Sequence, residues 1–224
     1  NYVDGPVLKK GNESFIGMHP VPIVHGMTVA EYAKMINGEG WLKAGVKCPL
    51  IIVPCQFYDH STFYKLPIKP SPNLPNMKSI YLYPSLCLFE GTNVSIGRGT
   101  QTPFQIVGRP GFEGNFSFTP QSMPGVSDHP KYEGKRCGGF IVNDAKQDDF
   151  FAKPSLNLDW FLLFYKKNTI ENGTYFKSFI FKLMGNSLFK EQVISGLSAQ
   201  DIKQTWQPEL LKYKAMRKKY LLYP

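Results

Sequence analysis

The sequence predicts an α+β fold, a mixed β-sheet flanked by helices with a helix-rich C-terminal third. Apolar runs typical of strands fall in the first two thirds of the 224 residues, and helix-capping patterns dominate the last third. The 17 Phe and 12 Tyr supply ample apolar area for a buried core. The 20 Gly and 18 Pro predict that many connections are turns.

The first predicted helix lies in the segment 24–38. Thr28 and Glu31 have the T-x-x-E spacing of a capping box, and Gly38 supplies a stop signal. The apolar run "CPLIIVPC" (48–55) then predicts a buried strand.

Proline determines the next predictions. Four prolines within 66–79 predict an extended loop, because proline removes a backbone donor. The run 80–89 predicts a second strand, interrupted or bulged at Pro84. We expect irregular chain around short strands over 101–136 and a further strand over 137–144.

Four helices are predicted in the last third, each from a polar cap or a proline at its start. They are 155–168 from Ser155, 186–196 from Asn186, one that begins at Ser198 and one with Pro208 in its first turn.

The formal net charge of +9 does not indicate nucleic-acid binding. Much of the excess lies in 212–220, where five cations decorate a helical pattern, and no nucleic-acid-binding signature accompanies them. Such a run is usually a solvated helix face. No apolar run of 18 residues exists, so we expect no membrane span.

Four cysteines occur, Cys48, Cys55, Cys87 and Cys137, at spacings that match no zinc or redox motif. Their even number allows disulfides, with three possible pairings. Cys48 and Cys55 are equally compatible with buried free thiols. The four histidines have no metal-ligand spacing, so we expect no metal site and no cofactor.

The stretch "CLFEGTNVSIGRGT" (87–100) is the main candidate for a functional site. It places Glu90 at the end of a predicted strand and Arg98 between Gly97 and Gly99. Small glycines leave room for a ligand against the backbone, and an arginine can bind a carboxylate through two hydrogen bonds. This combination predicts a site for a polar, partly anionic small ligand. The alternative interpretation is a buried Glu90–Arg98 ion pair that stiffens a loop.

His25 precedes the first predicted helix. It can bind an anionic or hydroxyl ligand near the positive helix end, or it can serve only as a cap or packing residue.

Several stretches together resemble the C-terminal part of the bacterial exo-β-N-acetylmuramidases, a glycoside hydrolase family. They are "VDGP", "SFIGMHPVPIVHGMTVAEYA", "SPNLPNMKSIYLYPSLCLFEGTNVSIGRGTQTPFQIVG", "GKRCGGFIVND" and "RKKYLLYP". The resemblance implies an exo-acting hydrolase outside the cytoplasm that releases N-acetylmuramic acid from the non-reducing ends of peptidoglycan glycans. The alternative is a cell-wall glycan-binding module without catalytic activity.

The family also implies an N-terminal Rossmann-like domain with a "PEHG"-like motif that carries the catalytic acid, and a cleft between the two domains. No such motif occurs in this chain. We therefore expect residues 1–224 to form a single C-terminal domain. Its expected partners are muramyl sugars and a missing N-terminal domain of the same protein, and alone we expect it to be inactive.

The chemistry of the candidate residues suggests their roles in such a cleft. Glu90 is expected to orient sugar hydroxyls or to act as a second catalytic carboxylate, with structural pairing to Arg98 as the alternative. The positive charge of Arg98 predicts that it binds the lactyl carboxylate of muramic acid. The predicted substrate-binding set is His25, Asn73, Thr92, Asn93, Ser95, Arg98 and Thr100.

Overall fold

The computed structural model describes residues 2–142, 154–167 and 175–224. Within these ranges it confirms the α+β fold. The helices are α1 (Val29–Gly38), α2 (Met77–Leu86), α3 (Asp159–Lys166), α4 (Phe179–Met184), α5 (Leu188–Ile194), α6 (Ala199–Gln204) and α7 (Gln207–Lys218). The strands are β1 (Asp4–Val7), β2 (Pro22–Val24), β3 (Ile106–Arg109), β4 (Phe116–Phe118) and β5 (Cys137–Ile141).

The described strands pair in two small antiparallel sheets. One sheet pairs β1 with β2, with Asp4 opposite Val24. The other has the order β3-β5-β4, with Arg109 opposite Gly138 on one side and Phe118 opposite Cys137 on the other. The strand predicted over 137–144 is confirmed as β5 up to Ile141, and its last two residues lie outside the described ranges.

The predicted capping box at the start of α1 is confirmed. The Thr28 hydroxyl accepts a hydrogen bond from the Glu31 amide at 3.4 Å, and the Glu31 carboxylate accepts one from the Thr28 amide at 2.8 Å. The helix ends at Gly38 as predicted, and the left-handed residue that follows it is Gly40, with φ +69°. Gly38 itself serves packing, because a Cβ there would lie 2.3 Å from the Tyr220 ring.

The late helices are confirmed with small shifts at their starts. Pro208 lies in the first turn of α7, and the Ser198 hydroxyl caps α6 by accepting from the Asp201 amide at 3.1 Å. Helix α3 begins later than predicted, where the Asn157 side chain accepts from the Asp159 amide at 2.8 Å.

The strand predicted over 48–55 is wrong. This segment is irregular, and Ile51 and Val53 are 97% and 86% exposed. No described strand pairs with it; instead Asn37 exchanges two side-chain hydrogen bonds with the Cys48 backbone, at 2.6 and 3.0 Å. A strand forms only where its backbone can hydrogen-bond to a neighbouring strand, and 48–55 has no such neighbour among the described strands. Apolar composition alone therefore gave the wrong prediction.

The strand predicted over 80–89 is also wrong, because this segment contributes most of α2. Asn76 and Ser79 form a reciprocal capping box that starts the helix. Ser79, Leu82 and Leu86 are buried, which is the spacing of one helix face. Pro84 lies inside the last turns, where its missing N–H removes one intrahelical bond.

The core is rich in aromatic residues and joins both ends of the chain. Phe89 lies 5.3 Å from Phe161, which in turn lies 5.3 Å from Phe189, measured between ring centroids. All three are fully buried. Val3 and Ile23 pack against the same cluster, so the β1–β2 sheet shares the core of the late helices.

Asp4 connects β1 to the C-terminal helices through two polar contacts. Its Oδ2 accepts a hydrogen bond from the Leu156 amide at 2.8 Å and lies 3.0 Å from the Lys203 ammonium. These contacts fix one edge of the cleft described below against the helical part of the fold.

All four cysteines are free, with Cys48 and Cys55 exposed and the other two buried. Both alternatives predicted for Cys48 and Cys55, a disulfide and a buried free thiol, are therefore wrong, because these cysteines are free and exposed. Burial, with a smaller contribution from Glu90, raises the pKa of the Cys87 thiol to about 12, and burial raises that of Cys137 to about 11.

We predict that iodoacetamide at pH 8 modifies Cys48 and Cys55 in the folded protein but modifies Cys87 and Cys137 only after unfolding. The reactive form of cysteine is the thiolate. Cys48 and Cys55 are accessible to the reagent, whereas burial of Cys87 and Cys137 blocks access and suppresses their ionisation. Mass spectrometry of peptides after timed labelling measures this. Equal labelling rates at all four sites would contradict the prediction, and a C48S/C55S variant that takes up no label before unfolding is the control.

Candidate functional site

A cleft of about 540 Å³ opens between the β1–β2 sheet, the loop that joins these two strands, and α4. Apolar residues form most of its wall. Its polar and ionisable side chains come from six parts of the fold, and they are His19, His25, Tyr32, Tyr83, Cys87, Glu90 and Lys182. Two of the residues predicted from sequence, His25 and Glu90, therefore line the same cleft.

Glu90 reaches the cleft on a 3₁₀ turn, Cys87–Gly91, that continues directly from α2. The predicted strand end is therefore wrong, although the carboxylate does face a concave surface. Gly91 allows this arrangement, because a Cβ there would lie 2.7 Å from the Ile180 Cα of α4. The close approach of turn and helix places Glu90 beside one wall of the cleft.

Glu90 and Arg98 form the ion pair that the alternative interpretation predicted. The Arg98 Nη2 and Nε atoms donate to the same oxygen, Glu90 Oε1, at 2.8 and 3.1 Å. The two side chains stay 26% and 35% exposed, so the pair lies at the surface rather than sealed in the core. The Arg98 guanidinium also lies 5.1 Å from the centre of the Phe104 ring. Glu90 lines the cleft, whereas Arg98 does not.

The glycines on either side of Arg98 do not make room for a ligand. Both have positive φ, +77° at Gly97 and +80° at Gly99. A Cβ at Gly97 would lie 2.5 Å from Ile106 Cγ1, and one at Gly99 would lie 2.6 Å from the Gln121 carbonyl oxygen. The prediction of open space is wrong because the chain itself fills that space.

The three hydroxyls predicted to bind substrate hold the loop together. Thr92 Oγ1 donates to the Phe89 carbonyl at 2.8 Å, Ser95 Oγ accepts from the Gly97 amide at 3.3 Å, and Thr100 Oγ1 donates to the Gly97 carbonyl at 2.7 Å. Thr92 and Ser95 are buried, and none of the three lines the cleft. Their position supports the shape of the loop rather than a direct contact with a ligand.

The two asparagines are also outside the cleft lining. Asn73 is buried, and its Nδ2 donates to the Val126 carbonyl at 2.7 Å. The backbone N–H of Asn93 donates to the Tyr175 carbonyl at 3.1 Å. The side-chain oxygens of both asparagines are buried without a hydrogen-bond partner among the described residues.

Lys131 fixes the backbone between Thr92 and Val94. Its ammonium donates to these two carbonyls at 2.8 and 2.9 Å. Burial, and then the nearby Lys177 charge, lower the pKa of Lys131 to about 8. A buried lysine that caps two carbonyls stiffens the chain immediately after Glu90.

His25 is held as a neutral ring at the edge of the cleft. Its ring stacks on Tyr32 at 5.1 Å between centroids, and its Nδ1 accepts a hydrogen bond from the Met27 amide at 3.2 Å. This contact leaves the ring proton on Nε2. Burial, with a smaller contribution from the Arg217 charge, lowers the pKa of His25 below its usual value.

Helix α7 fixes the backbone around His25. The Tyr213 hydroxyl donates to the His25 carbonyl at 2.9 Å, and Arg217 Nε donates to the Gly26 carbonyl at 3.0 Å. The prediction that 212–220 is only a solvated cationic face is therefore wrong at Arg217.

Five polar or ionisable residues of the cleft were not predicted as site residues from the sequence: His19, Tyr32, Tyr83, Cys87 and Lys182. Tyr32 lies on α1, and its hydroxyl pairs with His19 Nδ1 at 2.8 Å. The His19 ring stacks on Trp41 at 5.4 Å, and burial lowers its pKa. The available signal was the close spacing of His19, His25 and Tyr32 in "MHPVPIVHGMTVAEYA". No comparable pattern in the sequence marks Lys182.

The described residues contain no cluster of three or more His, Cys, Asp or Glu side chains placed to hold a metal ion. Within the same ranges, no helix combines the length and apolarity needed to span a bilayer.

Comparison with known proteins gives two family matches. A family described as exo-beta-N-acetylmuramidase NamZ, C-terminal, matches residues 81–223, and its N-terminal counterpart matches residues 1–78. The expectation that the chain lacks the N-terminal region entirely is therefore wrong. Residues 1–78 match the N-terminal family although they contain no "PEHG" motif, so the absence of this motif does not exclude the N-terminal region.

One curated relative is the peptidoglycan beta-N-acetylmuramidase NamZ of Bacillus subtilis (strain 168), which is 30% identical over 246 residues. The match covers 100% of this chain and 56% of the relative, so the chain spans little more than half the relative's length.

Two crystal structures of DUF1343 family proteins from Bacteroides fragilis NCTC 9343 are similar to this fold. The first has a TM-score of 0.94 and 44% identity, and it covers 99% of this chain and 62% of the other. The second has a TM-score of 0.79 and covers 100% of this chain and 63% of the other; at 20% identity it supports the fold alone.

Proposed function

The chain belongs to the exo-beta-N-acetylmuramidase NamZ family, and from this premise we propose that it takes part in the hydrolysis of peptidoglycan glycans. The proposed reaction releases N-acetylmuramic acid from the non-reducing end of the glycan. The name of the Bacillus subtilis relative, a peptidoglycan beta-N-acetylmuramidase, supports this substrate class. Because peptidoglycan lies outside the cytoplasm, we propose an extracytoplasmic location.

The observation that carries the proposal is the meeting of Glu90 and His25 in one cleft. Among the described residues that line it, Glu90 is the single carboxylate. Hydrolysis of a glycosidic bond needs a proton donor for the leaving oxygen and a second group that activates water or stabilises the positive charge at the sugar. A carboxylate paired with an arginine accepts hydrogen bonds and does not donate one, so Glu90 is suited to the second role.

His25 contributes binding rather than proton transfer in this proposal. Its neutral ring has Nε2–H as a hydrogen-bond donor for a sugar oxygen, while the stacked Tyr32 holds the ring in place. The substrate's own acetamido group can replace one of the two catalytic carboxylates in glycoside hydrolysis. Glu90 and His25 thus contribute one charged group and one neutral hydrogen-bond donor to the cleft.

We predict that the chain cleaves or binds a chromogenic β-N-acetylmuraminide in preference to the matching β-N-acetylglucosaminide. Release of the chromophore measures cleavage, and an NMR titration of the 224-residue chain measures binding. Saturable binding without turnover would favour the alternative, a glycan-binding module. Neither binding nor turnover with either glycoside would overturn the proposal.

A further inference from the structure

The charge of the cleft is set by two side chains. Among the described residues in its lining, Lys182 is the single lysine or arginine, and it faces the same space as Glu90. The two lining histidines have lowered pKa values and are neutral near pH 7. An anionic group that enters the cleft therefore meets its positive charge at Lys182, on α4.

The position of Lys182 is fixed by one hydrogen bond. Its ammonium donates to the Glu13 carbonyl at 3.0 Å. An ammonium has three donors, so this bond orients the side chain and leaves donor capacity for a ligand. The Glu13 carboxylate accepts from the Gly11 amide at 2.6 Å. Backbone hydrogen bonds, and to a smaller extent the Lys182 charge, lower the pKa of Glu13, although the two side chains form no ion pair.

An apolar rim lies beside this cation. Ser14 and Gly17 exchange backbone hydrogen bonds at 2.9 and 3.1 Å, which closes a tight turn. Phe15 and Ile16 form the tip of this turn, and both line the cleft. Phe15 is 88% exposed and Ile16 is 45% exposed, so the tip of the turn presents apolar surface at the opening of the cleft.

Arg98, the residue expected to bind the lactyl carboxylate, is poorly placed for that role. Both described hydrogen bonds from the Arg98 guanidinium go to Glu90, and Arg98 does not line the cleft. A ligand carboxylate at Arg98 would have to compete with a carboxylate already in place. Lys182 has no carboxylate within ion-pair distance among the described residues.

We propose that Lys182, together with Phe15 and Ile16, forms the subsite that recognises a sugar substituent bearing both a carboxylate and a methyl group. The lactyl ether of muramic acid has this chemistry, and glucosamine lacks it. Lys182 binds the carboxylate, and the loop tip covers the methyl group. The inference rests on the proposed function and names the specificity residues of the same cleft.

The test measures the affinity of the 224-residue chain for two sugars, methyl β-N-acetylmuraminide and methyl β-N-acetylglucosaminide. Lys182→Ala is expected to weaken binding of the first about tenfold, the loss expected for one charge-assisted hydrogen bond, and to leave the second within about twofold. Lys182→Arg is expected to restore most of the discrimination because it keeps the charge. Phe15→Ala is expected to weaken binding of the muraminide as well.

Two matched variants serve as controls. Lys190→Ala removes a similarly half-buried lysine on α5 that does not line the cleft, and Met18→Ala removes an exposed apolar side chain from the same loop outside the lining. Neither is expected to change the ratio of the two affinities.

The outcomes separate this inference from the proposed function. An unchanged ratio in Lys182→Ala, or an equal loss for both sugars, overturns the subsite while leaving muraminide hydrolysis standing. Binding of neither sugar by the unmodified chain overturns both. Loss of discrimination in Lys182→Ala with recovery in Lys182→Arg supports the assignment, and circular dichroism confirms that each variant is folded.

Discussion

Glu90→Gln is expected to reduce β-N-acetylmuraminide hydrolysis by roughly two to four orders of magnitude, the usual contribution of a positioned acid–base group. Glutamine keeps the shape of the side chain and one acceptor for Arg98 but removes the negative charge from the cleft. The loss should appear mainly in kcat, because the charge matters most where positive charge develops at the sugar.

Two further variants make this prediction specific. Glu113→Gln removes an exposed carboxylate far from the cleft lining and is expected to leave the rate unchanged. Arg98→Lys keeps a cation beside Glu90 but loses the two-nitrogen contact, so we expect a smaller loss than for Glu90→Gln.

The measurement is kcat/KM on the chromogenic substrate, with thermal unfolding of each variant recorded alongside. A Glu90→Gln protein that unfolds at a lower temperature yet keeps its rate would assign Glu90 to loop stiffening. That was the second interpretation of the same ion pair from sequence.

Glu31→Gln is expected to lower the free energy of unfolding by about 3 kcal/mol, because it leaves buried hydrogen-bond donors without their acceptor. Glu31 is fully buried, and its carboxylate takes part in three hydrogen bonds, one of which belongs to the capping box. They come from the Thr28 amide at 2.8 Å, the Leu222 amide at 2.8 Å and His60 Nε2 at 2.9 Å. This one carboxylate joins α1, the loop around His60 and the C-terminal segment.

The pH dependence gives an independent check. Burial alone would raise the pKa of Glu31, but the hydrogen bonds from Leu222, Thr28 and His60 outweigh burial and lower it from its usual 4.5. The unfolded chain therefore binds more protons than the folded one in acid. The stabilisation by Glu31 is present above about pH 4.5 and is lost as the pH falls through the lowered value.

Urea unfolding of the two proteins at pH 7 and at pH 3 measures both effects. The difference between wild type and Glu31→Gln should shrink in acid. Glu133→Gln is the matched control, since Glu133 faces His129 in an exposed pair 3.6 Å apart, and its effect should stay below about 0.5 kcal/mol. A Glu31→Gln effect as small as that of the control, or one independent of pH, would contradict the prediction.

Local chemistry was enough to predict several parts of the fold. The capping box of Thr28 and Glu31 located α1, Pro208 marked the start of α7, and the run that begins at Cys137 gave β5. Each of these signals lies within a few residues of the element that it defines. The Glu90–Arg98 pair was also predicted, as one of two interpretations.

The errors arose where distant residues decide the outcome. The apolar runs 48–55 and 80–89 both suggested strands. The first found no strand to pair with, and the second followed the capping box at Asn76 into a helix. The glycines beside Arg98 suggested open space, which Ile106 and Gln121 fill from elsewhere in the chain.

The fold class, the family and an acid close to an arginine follow from the order of the amino acids, because capping patterns and family motifs consist of neighbouring residues. That Glu90 and His25 share a cleft, and that Lys182 supplies its positive charge, follows from three-dimensional packing alone. These residues are separated by 65 and 92 positions along the chain from Glu90 (90 − 25 and 182 − 90). Packing between the β1–β2 sheet, the turn at Gly91 and α4 brings them together, and no local pattern encodes that packing.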